Sequence, residues 1–309
     1  MSQPTAESDG LSPLNNAARN IILDPDNLYR TLFYVTTVFI TLFVIFPFYF
    51  LFVLAITPEA AVGEVRYLPI AFDLGNFIET LEVIPMHWYI FNSIVVASIA
   101  TSLVLVIGSL AGYAFGRLQF RGRTGLLFLF LVITYFPGTT FLIPLFQLFT
   151  GAVDVFGIPS PDIFGTVWPL VLPLSGITLP LAIFILTVFF SQIPEGIEDA
   201  ARVEGDSRLG ALYRVIIPLS APGVATAAIL TFILVYNDFF FSVLLTDGSI
   251  ENWAPLVHGI LGYQETVVRG TPQHLIAAGS LLGLIPVAIL VFIGQKKIVS
   301  GLTSGALKE

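Results

Sequence analysis

The sequence predicts an all-α polytopic membrane protein with six transmembrane helices, and three observations carry that prediction. First, 56% of the 309 residues are hydrophobic and 11% are charged, against roughly 25% charged in an ordinary soluble domain. With 28 Phe and a mean hydropathy of +0.90, one soluble fold of this size could not hide its apolar surface. Lipid is therefore the solvent for most of the chain. Second, crossing about 30 Å of hydrocarbon takes about 20 mostly apolar residues. Six segments fit: Thr31 to Ile56, Tyr89 to Phe115, Gly125 to Phe149, Thr166 to Phe190, Leu219 to Thr246, and His274 to Gly294. Third, the basic residues gather on one side of those segments.

The first span follows a polar tail, residues 1–30, and no small-residue cleavage pattern comes after it, so it reads as a retained helix. With that tail inside, the cytoplasmic segments hold Arg19 and Arg30; Arg117, Arg121 and Arg123; Arg202, Arg208 and Arg214; and Lys296, Lys297 and Lys308. Only Arg66 and Arg269 remain outside, among acids such as Glu59, Asp73, Asp154 and Glu251. Both termini are predicted cytoplasmic, which makes 31–294 the membrane domain and 295–309 a C-terminal tail.

The second span opens on His87-Trp88-Tyr89, an interfacial aromatic cluster, and ends in Gly108, Gly112 and Gly116. Two successive small-xxx-small steps let another helix approach closely in lipid. The third and fourth spans carry Pro137-Gly138, Pro144, Pro169, Pro173 and Pro180, each removing a helical hydrogen bond and favouring a kink. Such kinks serve either a pathway or packing, and both readings stand at this point.

Between the fourth and fifth spans, residues 192–218 are polar yet keep helical periodicity. Pro194 suits a first helical turn, and Glu195, Glu198 and Asp199 place negative charge at the positive end of the helix dipole. Ile197, Ala200, Ala201 and Glu204 follow i, i+3, i+4, i+7, and Glu198 is spaced to pair with Arg202. Gly205 ends this helix in a left-handed position. Asp206 or Ser207 caps a second helix, in which Leu209, Leu212, Tyr213 and Ile216 make one apolar stripe. Pro218 then hands the chain to the fifth span. The physics leaves two readings, an interfacial hairpin or a knob that docks into a soluble partner.

Composition closes several other routes. There is no Cys, so disulfides and thiolate chemistry are excluded. A net charge of -8 argues against a nucleic-acid partner. His87, His258 and His274 lack metal-ligand spacing, and no cofactor site is predicted. Asp238 falls within the fifth span, where an ionisable group is costly and should face a cavity or a partner. Asn237 beside it offers the plainer reading, a pair that bonds a neighbouring helix. Asn92, Ser93, Tyr135, Gln147 and Tyr236 are further polar candidates for a pathway or gate.

The run from Ile193 through Pro194-Glu195-Gly196-Ile197-Glu198-Asp199-Ala200-Ala201-Arg202-Val203-Glu204 to Gly205, continuing to Ile216-Ile217-Pro218-Leu219, resembles the EAA loop of ABC importer permeases of type I. Within that superfamily it is similar to the carbohydrate-uptake permeases of the MalG type. Asp199 stands where the motif's Glu is usual, and Ile217 where Leu is usual before Pro218. Tyr236-Asn237-Asp238-Phe239 resembles the Asn-Asp or Asn-Glu pair of the following helix, and Gln295 to Ala306 resembles the family's C-terminal tail.

The resemblance implies a permease subunit of a binding-protein-dependent importer with a sugar as cargo. Its partners would be a second permease subunit, an ABC ATPase dimer and an external solute-binding protein. Glu198, Asp199, Ala200, Ala201, Arg202, Gly205 and Pro218 would form the ATPase-coupling loop. ATP and Mg would be bound by the partner ATPase, since the sequence has no Gly-x4-Gly-Lys-Ser/Thr phosphate loop. An ion-coupled secondary transporter using Asp238 is the alternative; it predicts internal repeats and no docking loop. A membrane hydrolase is disfavoured, because no Ser/His/Asp set converges at the inner leaflet.

Overall fold

The computed structural model describes residues 25–64, 67–69, 71–266 and 273–304. Helix dominates, because in lipid the backbone must satisfy its own hydrogen bonds. Four helices are long and apolar enough to cross a membrane. They are the first span, Pro25–Ala55; the second, Met86–Arg117; the fourth, Trp168–Ser191; and the sixth, Gln273–Ser304. Two bent helix pairs pass the same test, Arg123–Thr134 with Gly138–Phe149, turned by 83°, and Arg208–Leu219 with Ala221–Tyr236, turned by 84°. The first pair is the third span. In the second pair Ala221–Tyr236 opens the fifth span, and Arg208–Leu219 belongs to the loop before it.

Three boundaries depart from the sequence prediction. The third span is not one rod from Gly125 to Phe149. Pro137 has no N–H and disfavours helical backbone at Phe136, so the helix closes with the Tyr135 and Phe136 amides donating to Val132 and Ile133 at 3.1 and 3.0 Å. The fifth span, predicted to run from Leu219 to Thr246, stops at Tyr236 and resumes as Phe240–Leu244. The sixth span continues past Gly294 to Ser304, so the predicted C-terminal tail begins as helix. Residues 1–24 of the N-terminal tail and 305–309 of the C-terminal tail lie outside the described residues.

The second and fourth spans form the centre of the fold, and the glycines of the second span explain how. A Cβ at Gly112 would stand 2.8 Å from Leu186 Cβ, and one at Gly116 would stand 3.1 Å from the Thr187 carbonyl oxygen. The small-residue face predicted from sequence is thus the contact face. The fifth span closes on the fourth in the same way, since a Cβ at Gly223 would run into the Phe189 ring. Val104, Tyr113, Ala182, Leu186, Phe190 and Ala227 bury one core cluster here together with Leu212 and Ile216 from the loop. A larger cluster, including Met86, Val96, Leu170, Val235 and Tyr236, packs further along the same spans.

Two connections between spans contain structure too. A helix over Gly75–Val83 is pinned to the first and sixth spans: Asn76 Nδ2 donates to Ala55 O at 2.8 Å, and Thr80 Oγ1 donates to Leu275 O at 3.1 Å. A two-residue hairpin pairs Asp154–Val155 with Ile158–Pro159, turning through Gly157 at φ +80. The first span is by contrast mostly bare, with 11% of its most apolar stretch buried. Phe39, Phe43 and Phe46 stand on that exposed surface, which suits lipid.

Candidate functional site

The loop between the fourth and fifth spans is built from two short helices with capped ends. Pro194 occupies the cap position rather than the first turn predicted for it. Its φ of -56 and ψ of 136 are extended, so the helix begins at Glu195 and runs to Val203. At the far end the Gly205 amide donates to Arg202 O at 3.1 Å and the Asp206 amide to Ala201 O at 3.0 Å. This is a Schellman turn around Gly205 at φ +104, the left-handed close expected from the sequence. Ser207 caps the next helix by accepting from the Gly210 amide at 3.1 Å, and Arg214 Nη1 donates to Asp206 Oδ1 at 2.6 Å beside it.

The second loop helix widens into a π-type turn over Leu212–Ile216, and the predicted four-residue stripe splits there. Leu212 and Ile216 are fully buried in the inner core, whereas Leu209 and Tyr213 are each 55% exposed. Val203, at the end of the first loop helix, is 88% exposed. Ala200, Arg202 and Pro218 are also exposed, and Ala201 is half-buried. The loop therefore has one face sealed against the spans and a second face on which apolar side chains remain uncovered.

Glu198 departs most from the sequence prediction. Arg202 pairs with Asp199 at 3.7 Å on the exposed surface, and Glu198 turns inward to become the one buried residue of its helix. Its Oε1 accepts from Tyr113 Oη at 2.5 Å and its Oε2 from Arg117 Nε at 2.8 Å. Arg117 Nη1 also donates to the Ile193 carbonyl at 2.5 Å. The reason is electrostatic: the buried guanidinium at the end of the second span needs a buried anion, while Arg202 is solvated without one. Burial pushes the Glu198 carboxyl up, but the bonds from Tyr113 and Arg117 outweigh it and hold the group below the ordinary range. Sequence reasoning missed Tyr113 and Arg117 as members of the site. The available signal was their i, i+4 spacing beside Gly112 and Gly116, the face already assigned to helix packing.

The polar candidates of the membrane domain separate. Tyr236, Asn237 and Asp238 meet where the fifth span breaks. Asn237 ends the helix, its Nδ2 and backbone N–H both donating to Ile233 O at 2.8 and 3.1 Å. Asp238 Oδ2 then accepts from the Ser242 amide at 2.9 Å and from Ser242 Oγ at 3.2 Å. That carboxylate serves the start of Phe240–Leu244 as a cap would. Tyr236 Oη donates to Gly283 O at 2.8 Å and ties the fifth span to the sixth. Asn92 is engaged with the loop between the fifth and sixth spans, its Nδ2 donating to Ile250 O and Ala254 O at 2.8 and 3.1 Å. Ser93 Oγ accepts from the Leu256 amide at 2.8 Å. Tyr135 stands apart, 88% exposed at the bend of the third span, and Gln147 is exposed on the second half of that span. Among the described residues no group of His, Asp and Glu could hold a metal ion.

Four long apolar helices and two bent pairs, with a two-helix loop between the fourth and fifth spans, describe a polytopic membrane protein. Residues 104–303 match the family described as binding-protein-dependent transport system inner membrane component. The permease protein of the sulfoquinovosyl glycerol transport system of Agrobacterium fabrum is 35% identical over 81% of this chain and 83% of its own length. The trehalose transport permease of Mycobacterium tuberculosis is 34% identical over 86% of this chain and 93% of its own. The trehalose/maltose permease of Thermococcus litoralis is 32% identical over 91% and 98%. The fold is shared with a chain of a bacterial ABC transporter involved in the import of the acidic polysaccharide alginate, at a TM-score of 0.67 and 22% identity, covering 88% of this chain and 96% of that one. The chain belongs to the family of inner-membrane components of binding-protein-dependent transport systems. It is a multi-pass permease subunit of an ABC importer, and ATP hydrolysis in such a system belongs to a separate subunit.

Proposed function

We propose that this permease subunit imports a sugar, working with a second permease subunit, an ABC ATPase dimer that binds ATP and Mg, and an external solute-binding protein. The relatives that suggest the cargo carry trehalose, maltose or sulfoquinovosyl glycerol in their names. The observation that carries the reading is the loop 192–218. It is fixed to the spans through Glu198, Leu212 and Ile216, and it leaves Val203, Leu209 and Tyr213 uncovered. Apolar side chains exposed on a rigid knob outside the spans fit a soluble partner better than water, and Asp199, Ala200, Ala201 and Arg202 lie on the same helix. Asn237 and Asp238, with Tyr236 fixing their helix to the sixth span, are the candidates for the gate or pathway; Asn92 on the second span and Tyr135 at the bend of the third are further candidates that lie apart from them.

Both termini and the loops around Arg121 and Arg208 face the cytoplasm in this reading, because eleven of the 13 Lys and Arg then lie inside. The chain lacks Cys, so single-cysteine labelling tests it directly. A Cys at Ile158, 70% exposed on the hairpin, reacts with an impermeant reagent from outside, and one at Val203 does not. The energy source is tested in vesicles holding the assembled transporter. Sugar uptake requires internal ATP and survives an uncoupler while ATP is held constant. Collapse of uptake with the uncoupler would transfer the role to an ion-coupled mechanism at Asp238.

A further inference from the structure

The loop helix Glu195–Val203 is attached to the protein in an unusual way. An amphipathic helix commonly seats an apolar stripe, yet here the one buried side chain of the helix is a carboxylate. Each end of the helix is a change of direction, extended backbone at Pro194 and the positive-φ turn at Gly205, so the helix joins its neighbours through bends rather than as a continuation of either. The next loop helix is held by Leu212 and Ile216, both fully buried, but the Gly205 turn stands between that anchor and Glu195–Val203.

Glu198 reaches the part of the membrane domain best suited to receive a displacement. Tyr113 and Arg117 lie one turn apart at the cytoplasmic end of the second span. Arg117 also holds the Ile193 carbonyl, where the chain leaves the fourth span. The second and fourth spans are stitched together by Gly108, Gly112 and Gly116, whose added Cβ atoms would meet the fourth span at 3.3, 2.8 and 3.1 Å. Three elements thus meet at one ion pair, Glu198 with Arg117: the loop helix and the second span through the carboxylate, and the exit of the fourth through the guanidinium.

We propose that Glu198 is a positioning residue whose clamp on Tyr113 and Arg117 makes the loop helix and spans two and four move as one body when an ATPase displaces the loop. This rests on the reading that the loop receives ATPase motion. Glu198 is buried and does not meet the partner; it acts by refusing to let the helix swivel. Without it, displacement of the loop would be absorbed by rotation about Pro194 and Gly205 rather than passed to the spans.

Two measurements test the clamp. A spin label on Cys substituted at Val203 in the full-length chain reports loop mobility without the partner. It is immobile in the parent, mobile in Glu198→Gln, and intermediate in Tyr113→Phe, which removes one bond and almost no volume. In the assembled transporter, sugar uptake per ATP hydrolysed falls about tenfold in Glu198→Gln and less in Tyr113→Phe, within the range by which residues linking two sites change their coupling. The pair Glu198→Arg with Arg117→Glu recovers part of that loss. Uptake per ATP equal to the parent in both single variants overturns the proposal. So does a loss of uptake that merely tracks loss of bound ATPase, since that is the signature of a docking or folding defect. If Glu198→Gln does not assemble, Tyr113→Phe decides by the same ratio. Absence of ATP-driven uptake in the parent transporter overturns the importer reading itself, and the clamp with it.

Discussion

Two inward-turned carboxylates in this molecule are handled in opposite ways. Glu198, on the loop between the fourth and fifth spans, faces a guanidinium and a phenol on another helix, so its bonds join elements distant in sequence. Asp238, at the break in the fifth span, takes its hydrogen bonds from Ser242, four residues along the same chain, and has no ion pair among the described residues. The first carboxylate fastens one body to another. The second organises a local change of direction. A buried acid is therefore not by itself a sign of transport chemistry; the identity of the partner, cation or amide, decides what the group does.

The largest expected effect breaks the cationic side of that comparison. Arg117→Met removes the countercharge and leaves Glu198 buried and unpaired, which costs about 3–5 kcal/mol when a buried pair is split. Ser242→Ala removes only a hydroxyl donor from Asp238 and leaves the amide bond in place, so it costs about 1 kcal/mol. Thermal unfolding of the two purified variants compares them directly. Equal destabilisation would mean that the Arg117 charge is not what distinguishes the two sites.

Much of this was legible in the sequence, for reasons that can be stated residue by residue. The loop helix and its close at Gly205 were readable because caps and glycine turns are local chemistry, although Pro194 caps that helix rather than sitting in its first turn. The contact face of the second span was readable because Gly108, Gly112 and Gly116 repeat at helical spacing. The pairing of Glu198 was not, since Arg202 and Arg117 are both basic and only the tertiary fold decides which is buried. The break after Tyr236 was hidden for another reason. Asn237 and Asp238 are short polar residues that can bond their own backbone, and within an apolar run from Leu219 to Thr246 nothing but their side chains marks the stop. The helix Ala221–Tyr236 has 16 residues, about 24 Å at 1.5 Å per residue, so Phe240–Leu244 must complete the crossing of about 30 Å.

A middle-sized effect follows at that break. Asp238→Ala loses the acceptor for the Ser242 amide and should destabilise by about 1 kcal/mol, the usual cost of a lost cap. Asp238→Asn keeps an acceptor oxygen and should retain most of that stability, with ATP still driving uptake. A drop in Asn equal to that in Ala, measured by the same unfolding assay, would show that the negative charge matters and would bring Asp238 closer to Glu198.

Gly205 gives a smaller effect and isolates backbone from packing. No atom lies within 4 Å of a Cβ built there, so Gly205→Ala meets no neighbour and the cost is conformational alone, about 1 kcal/mol for a side chain at positive φ. Gly112→Ala differs in kind, since its Cβ would stand 2.8 Å from Leu186 Cβ and the second and fourth spans must part. The Gly112 variant should weaken the membrane domain. The Gly205 variant should loosen only the loop, seen as faster proteolysis between residues 195 and 215 with unchanged thermal unfolding of the spans.

The smallest effect is the response of the clamp to pH, and its sign follows from the direction in which Glu198 is held. Its carboxyl sits below the ordinary value of 4.5 because Tyr113 and Arg117 stabilise the anion against the cost of burial. A lowered folded value means that the clamp contributes fully above the unfolded value. That contribution declines as the pH falls below about 4.5 and is gone once the folded value has been passed. The groups around it are Tyr113 and Arg117 on the second span, Arg202, Asp199 and Glu195 on its own helix, and Arg208 on the next. Asp199 and Glu195 are exposed, and the bonds to Tyr113 and Arg117 are made by Glu198. A spin label at Val203 should therefore show constant mobility from about pH 8 to about pH 5 and loosen only at more acid values. The Glu198→Gln chain carries no such group and should be mobile across the whole range. A parent protein whose loop loosens near neutral pH would place the controlling proton on another residue, and the contrast between a cation-held and an amide-held carboxylate would then no longer explain why this loop is rigid.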